Sequence, residues 1–137
     1  MVNGELVFDG QTGSKEWYTF HTNEIKRLCM FLELPPYVVG HAKTLWIGAL
    51  GASRAPLPLV ADCVYVCAKL SGNRVSIPSM KEATKELWGR PIKVLILDKR
   101  TQERRWIWDY KNLILSLYPD EVAWDDFVSD WGEPTND

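Results

Sequence analysis

The sequence has no long apolar run and few cysteines. No stretch approaches the roughly 20 apolar residues that a membrane-spanning helix requires, so we expect no membrane partner. Met1–Glu5 has neither the charged nor the apolar part of a signal peptide, so we expect that these residues are not one. The three cysteines, Cys29, Cys63 and Cys67, are an odd number and lie in apolar stretches. They fit reduced, buried thiols of an intracellular, cytoplasmic protein better than a disulfide framework.

The residue patterns of catalytic and metal sites are also absent from the sequence. His21 and His41 do not form a paired metal-binding motif. Cys63 and Cys67 stand one helical turn apart, without the two-residue spacing of a zinc knuckle and without further ligands nearby. Gly10–Gly13 lacks the lysine of a phosphate-binding loop. We therefore predict that the protein is not an enzyme, has no cofactor or metal, and works by binding other macromolecules.

Charge is distributed unevenly along the 137 residues. Residues 120–137 contain seven acids and no lysine or arginine, whereas residues 1–119 carry 16 basic and 11 acidic side chains. A basic body with an acidic end is typical of a protein that contacts a polyanion through one region, and an uneven solvated surface gives the same counts. The length suits one domain, and the seven tryptophans and five tyrosines suit a large core or an interface.

Apolar spacing predicts a run of helices in the middle of the chain. Thr22 is a suitable cap for the first helix, and Pro36 is suited to the first position of the second. The third, Pro58–Leu70, is apolar on nearly every face, with Asp62 and Lys69 as the exceptions. Such a helix is typically surrounded by others. We therefore expect 58–70 to be the central helix of a mainly α domain.

The segments that follow are less uniform. A fourth helix is capped by Ser79 or by Ser76 and ends at Gly89. Residues 92–97 are dense in β-branched side chains and predict a strand, and a helix over 102–118 follows. Residues 104–110 could instead pair with that strand across a polar turn, and this alternative stays open.

The two ends of the chain predict small additions to the helical domain. Residues 5–8 are apolar and precede a glycine-rich turn and an aromatic run, which indicates a β-hairpin over 5–20. At the other end Trp124, Phe127 and Trp131 form the apolar stripe of an acidic amphipathic helix. We divide the chain into an extension at 1–21, a helical domain at 22–118 and an acidic aromatic tail at 119–137.

Part of this order is similar to a known family. The residues that carry the resemblance are Glu24–Leu28, Leu32–Val38, Ala42, Leu45–Trp46, Arg54, Val60–Leu70, Val75–Ile77 and Met80–Thr84. Together they resemble one cyclin-like repeat of transcription initiation factor IIB and of its archaeal counterpart, transcription factor B. The resemblance covers residues 22–88 and implies a cyclin-like five-helix bundle built around helix 58–70. The β elements at 5–8 and 92–97 would be additions to it.

The sequence departs from that family in several places. Asp62 stands where the family usually has alanine, and residues 90–100 form an insert in place of a short loop. The zinc ribbon is missing, because no cysteine precedes Cys29, and the chain has room for one repeat where the initiation factors carry two. A regulator, a competitor or an accessory relative of the initiation factors is therefore expected, and not a replacement for one.

The resemblance implies duplex DNA and RNA polymerase, or other basal transcription machinery, as partners. The region that matches the DNA-reading helices of the family is 79–113, which carries nine basic and five acidic residues. Its basic side chains would neutralise phosphates and release counterions, and a solvated charged face is the competing interpretation. The residues that we predict to contact nucleic acid are Lys93, Lys99, Arg100, Arg104 and Arg105.

Two other functions fit the same residues. Cyclin-like folds also bind peptides in helical grooves, so the chain could be a protein-interaction module without nucleic acid, with Trp124, Phe127 and Trp131 as the partner contact. The competing interpretation is that this stripe packs against its own core. A winged-helix DNA-binding domain is the third hypothesis, with 92–97 and 104–110 as the wing and 79–88 as the recognition helix. The sequence assigns no oligomeric state.

Overall fold

The structure, a computed structural model, describes residues 6–52, 55–92 and 106–129. Within these ranges it is mainly α, with no strand. The helices are α1 Lys15–Phe31, α2 Pro36–Gly48, α3 Pro56–Leu70, α4 Ile77–Trp88, α5 Trp106–Asp109, α6 Lys111–Leu117 and α7 Glu121–Ser129. In the described part of the chain no helix combines the length and the apolar character needed to cross a bilayer.

Helix α3 lies at the centre of the molecule. Every residue from Leu59 to Ala68 is buried, and α3 packs against α1, α2, α4 and α7. The prediction of a helix surrounded by others is therefore confirmed, as is its end at Leu70. It begins at Pro56, two residues before the expected start at Pro58. Ala55 is extended, and the proline that follows it suits the first helical turn.

Helix α1 begins earlier than the sequence indicated. Ser14 is the cap, and its hydroxyl accepts the Trp17 N–H at 3.1 Å. Thr22 lies inside the helix, so its prediction as the cap is wrong, and the β-hairpin expected over 5–20 is wrong at 15–20. The boundary expected after residue 21 also falls within α1. Burial explains the difference, because Trp17 and His21 continue the apolar face of the helix into the core.

The strand expected at 5–8 is absent from its described part, residues 6–8. Leu6 instead donates a single backbone hydrogen bond to the Trp88 carbonyl at 2.9 Å. Of the strand expected at 92–97, residues 93–97 lie outside the described residues. Helix α4 is capped by Ser76, the alternative to Ser79. The Ser76 hydroxyl accepts the Ser79 N–H, and the Ser79 hydroxyl accepts the Ser76 N–H, which completes a capping box. The predicted end at Gly89 is the C-cap, which follows the last helical residue, Trp88. The φ of Gly89 is 83°, a left-handed value that favours glycine.

Residues 106–109 and 111–117 are helical, which confirms the preferred prediction of a helix over a strand for these residues. They form two helices, α5 and α6, that meet at Tyr110, and residues 102–105 lie outside the described ranges. The helical conformation of 106–109 is incompatible with the wing that the winged-helix hypothesis places at 104–110. Helix α6 packs on the end of α2, where Gly48 faces Leu113 so closely that a Cβ atom at position 48 would collide with the leucine side chain.

Candidate functional site

The residues predicted to contact nucleic acid lie outside the described residues. Lys93, Lys99, Arg100, Arg104 and Arg105 all belong to residues 93–105, which we call the basic segment. This segment has five basic and two acidic side chains. The structure does describe the two points on either side of it, Ile92 and Trp106, and both are buried.

The first point is the end of α4. Ile92 is 5% exposed, and its N–H donates to the Thr84 hydroxyl at 2.9 Å in the interior. Four residues earlier Trp88 is also buried, and its indole N–H donates to Glu24 Oε1 of α1 at 2.7 Å. The backbone that leads into the basic segment is therefore bound to two helices of the core.

Glu24 has a second partner that makes its burial tolerable. Its two carboxylate oxygens each accept from Arg27 Nη1 at 2.8 Å, and the arginine side chain extends towards solvent with 46% of its surface exposed. A buried carboxylate is stable only where hydrogen bonds and a countercharge replace its water. The arginine supplies the countercharge from within α1, and the Trp88 indole supplies a hydrogen bond that joins α1 to α4.

The second point is the start of α5. Trp106 is 5% exposed, and its indole N–H donates to Asp62 Oδ2 at 3.2 Å. Asp62 is fully buried in the middle of the central helix. The one acid of this apolar helix therefore has a structural role, because its carboxylate holds Trp106 at the start of α5.

The described basic residues of region 79–113 have mixed surroundings. Lys81, Lys85 and Arg90 are exposed on or just after α4. Glu82 and Glu86 are exposed on the same helix, so its outer face carries both signs of charge. Lys111 is engaged elsewhere, with its ammonium group 5.7 Å from the centre of the Trp124 ring. The described part of region 79–113 therefore adds three exposed basic side chains, Lys81, Lys85 and Arg90, to the five of the basic segment.

The acidic tail forms α7, which begins with Asp120 accepting the N–H groups of Val122 and Ala123 at 3.1 Å. Trp124 is 1% exposed and packs edge-on against Trp108 of α5 at 5.6 Å. Phe127 packs 6.2 Å from the Tyr65 ring of α3. The stripe thus faces the chain's own core, as the competing interpretation held. A role of Trp124 and Phe127 towards a partner stays a prediction, and Trp131 lies outside the described residues.

The cysteines lie in the core beside a histidine and a tyrosine. His41 Nδ1 is 2.8 Å from the Tyr118 hydroxyl. Burial raises the pKa of Cys29 and of Cys67 to about 12, and burial likewise raises the pKa of Tyr118 above its ordinary value. These groups are protonated at neutral pH. The prediction of free, buried thiols is confirmed, and the described residues contain no cluster of three potential metal ligands.

The residues that anchor the basic segment were not recognised from the sequence as a group. Asp62 was visible as a charge in an apolar helix, and a donor could have been sought for it. Glu24 lies one helical turn from both Phe20 and Leu28, on a helix with an apolar face. Its signal is an acid on a buried stripe, which requires a donor from elsewhere in the chain.

Comparison of the chain with protein-family models, with curated proteins and with solved structures finds no match. The contacts and charges described above therefore carry the functional argument.

Proposed function

We propose that this chain is a non-catalytic, transcription-related binding module, a single cyclin-like repeat that contacts duplex DNA and associates with RNA polymerase or the basal machinery. Two features support the proposal. Helices α1, α2 and α4, which include most of the residues that carry the resemblance, pack against the central α3, and the proposed repeat would need such packing. The region that corresponds to the family's DNA-reading helices is the most basic part of the sequence, with nine basic and five acidic residues over 79–113.

The observation that supports the proposal most is that a tryptophan on each side of the basic segment donates to a buried carboxylate. Trp88 donates to Glu24 before the segment, and Trp106 donates to Asp62 after it. The segment is therefore joined on both sides to buried residues of the described fold. A segment joined at both sides to a folded domain loses less conformational entropy on binding than a free tail, so more of its electrostatic attraction to phosphates appears as affinity.

The expected mode of binding is contact with the phosphate backbone. Phosphate contacts from lysine and arginine position a protein on duplex DNA without reading its sequence. Lys81, Lys85 and Arg90 are exposed beside the first anchor and would extend the contact along α4. Affinity should therefore depend strongly on salt and weakly on DNA sequence.

Titration of a fluorescently labelled duplex with the chain at several salt concentrations tests the proposal. We expect log K to fall linearly with log salt. The double variant Arg104→Glu, Arg105→Glu should weaken binding and flatten that slope by about 2, since each lost phosphate contact removes roughly 0.9. The matched control is Lys15→Glu, Lys26→Glu, which reverses two exposed charges on α1.

The control should retain most of its affinity, and circular dichroism melting should show that both double variants are folded. The proposal fails if the folded wild type does not bind duplex DNA at about 50 mM salt, where phosphate contacts are strongest. It also fails if the two double variants lose affinity equally, because the loss would then reflect net charge alone.

A further inference from the structure

Residues 6–10 precede α1 and lie outside any helix, and we call them the strap. Leu6 and Phe8 are partly buried and pack against the core, whereas 61% of the Val7 surface is exposed. Within the described chain one hydrogen bond joins the strap to the rest of the fold, from the Leu6 N–H to the Trp88 carbonyl at 2.9 Å. The strap is therefore held by one backbone bond and two partly buried side chains.

The ring of Phe8 packs beside His21 of α1. The two ring centres are 6.4 Å apart, and the Phe8 ring also meets Phe20 edge-on at 5.2 Å. Glycine at position 10 leaves room for the ring, because a Cβ atom on Gly10 would lie 2.6 Å from Phe8 Cζ. The strap therefore places an aromatic ring next to the imidazole.

The other rings around His21 belong to helices. Trp17 and Phe20 of α1 have ring centres 4.9 Å from that of the imidazole, and Trp46 of α2 stacks on it at 5.2 Å. In this enclosure only 4% of the His21 surface is exposed. Helices α1 and α2 pack against each other and against α3, so the strap is the part of the enclosure that can leave most easily.

The enclosure suits a neutral imidazole and not a charged one. Nδ1 of His21 donates to the Trp17 carbonyl at 2.8 Å, so a second proton must bind Nε2. The described residues supply Nε2 with no hydrogen-bond partner. A buried cation without an acceptor or a full countercharge is strongly disfavoured.

The charged groups around His21 compensate such a cation only in part. Glu24 of α1 acts on His21, but its carboxylate already accepts hydrogen bonds from two other side chains. Asp9 is the one charged residue of the strap and is exposed, and α2 presents an uncharged ring to the imidazole. Burial accordingly lowers the pKa of His21 from 6.5 despite the backbone hydrogen bond and Glu24.

We propose that the strap opens when His21 is protonated and closes when His21 is neutral. Departure of the Phe8 ring lets water solvate the imidazolium, while the helices around His21 keep their positions. Because the closed strap favours the neutral ring, each pH unit below 6.5 shifts the equilibrium towards the open strap by up to about tenfold. Opening also removes the Leu6 donor from the last carbonyl of α4, at Trp88.

NMR of the full chain between about pH 7.5 and about pH 5 tests the proposal. The protection of the Leu6 amide against hydrogen exchange, relative to its intrinsic rate, should fall by up to about thirtyfold over the last 1.5 of these pH units. Far-UV circular dichroism should stay constant over the same range. His21→Phe should make the protection of Leu6 independent of pH, and the matched control Asp9→Asn, which removes the other titrating side chain nearby, should preserve the pH response.

Titration of the His21 imidazole gives the reciprocal measurement. Phe8→Ala removes the ring, and Gly10→Ala displaces it, so both variants should raise the pKa of His21 towards 6.5. Val7→Ala changes an exposed side chain of the same strap and should leave the pKa unchanged. The signal that disappears in His21→Phe identifies the imidazole that is followed.

Three outcomes overturn the proposal. Leu6 that keeps its protection through the whole titration of His21 would show a strap that stays closed over the cation. Loss of the helical signal together with the Leu6 protection would show that acid unfolds the domain and not the strap. An equal pKa of His21 in the wild type, Phe8→Ala and Gly10→Ala would show that the strap does not control the imidazole.

Discussion

The two anchors of the basic segment use the same chemical pair in different surroundings. Trp88 donates to Glu24 at 2.7 Å and Trp106 donates to Asp62 at 3.2 Å. Both carboxylates are buried, with 5% and 0% of their surfaces exposed. Glu24 also binds the guanidinium of Arg27, which reaches solvent, whereas Asp62 lies in the middle of the central helix, where every residue from Leu59 to Ala68 is buried.

The two bonds also differ in how much of the fold they join: the Glu24–Trp88 bond restrains the whole fold, and the Asp62–Trp106 bond restrains one short segment. The Glu24–Trp88 bond joins α1 to α4, two helices of 17 and 12 residues that both contribute to the main core. The Asp62–Trp106 bond joins the central helix to α5, which has four residues. Loss of the first bond should therefore weaken the whole fold, while loss of the second should loosen one short segment.

The largest effect is expected for Trp88→Phe. The substitution removes a short hydrogen bond to a buried carboxylate, worth about 1.5–3 kcal/mol, and leaves a small cavity. The free energy of unfolding should fall by about 2–4 kcal/mol, measured by urea denaturation.

The chain offers a matched control for this change. The indole nitrogen of Trp108 is buried and has no hydrogen-bond partner among the described residues. Trp108→Phe therefore loses packing without breaking such a bond, and removes a donor whose burial is itself unfavourable. A loss of stability in Trp108→Phe as large as that in Trp88→Phe would show that ring volume, and not the carboxylate bond, is responsible.

A smaller effect is expected for Trp106→Phe. Removal of the donor to Asp62 should reduce stability by about 1–2 kcal/mol. Amide hydrogen exchange should accelerate in α5 and at the start of α6, while the slowest amides of α1 to α3 should keep their relative protection. Accelerated exchange spread evenly over α1 to α3 would contradict the distinction between a local and a global anchor.

The sequence predicted the centre of the fold better than its start. Helix α3 could be recognised as central because a helix that is apolar on nearly every side is buried among other helices. The beginning of α1 was missed because Trp17, Tyr18 and Phe20 favour strands when considered alone. The helical stripe was nevertheless present, since Trp17, His21 and Ile25 follow one another at intervals of four residues and are all buried.

The pairing of each buried carboxylate with its tryptophan could not be predicted from sequence patterns. Glu24 and Trp88 are 64 positions apart, and Asp62 and Trp106 are 44 apart. Periodicity within one helix shows that a carboxylate lies on a buried face, and physical chemistry then requires a donor. Which of the seven tryptophans supplies that donor depends on how the helices pack, and packing is decided by the whole core.

The smallest expected effect is the change of stability with pH that comes from His21, a third buried polar side chain. His21 is 4% exposed, donates from Nδ1 to the Trp17 carbonyl at 2.8 Å, and stacks on Trp46 at 5.2 Å. Burial lowers the pKa of His21 from its ordinary value of 6.5, and the hydrogen bond to Trp17 and the charge of Glu24 oppose that shift only in part.

The sign of the pH dependence follows from this depressed pKa. Below pH 6.5 the unfolded chain binds a proton at His21 more readily than the folded chain, so stability falls as the pH is lowered through that value. The contribution of one histidine is at most about 1.4 kcal/mol per pH unit. His21→Phe keeps an aromatic ring against Trp46 and removes the titration. Urea midpoints at pH 7.5, 6.5 and 5.5 should therefore decline more steeply in the wild type than in the variant. Parallel declines would show that His21 does not contribute to the pH dependence.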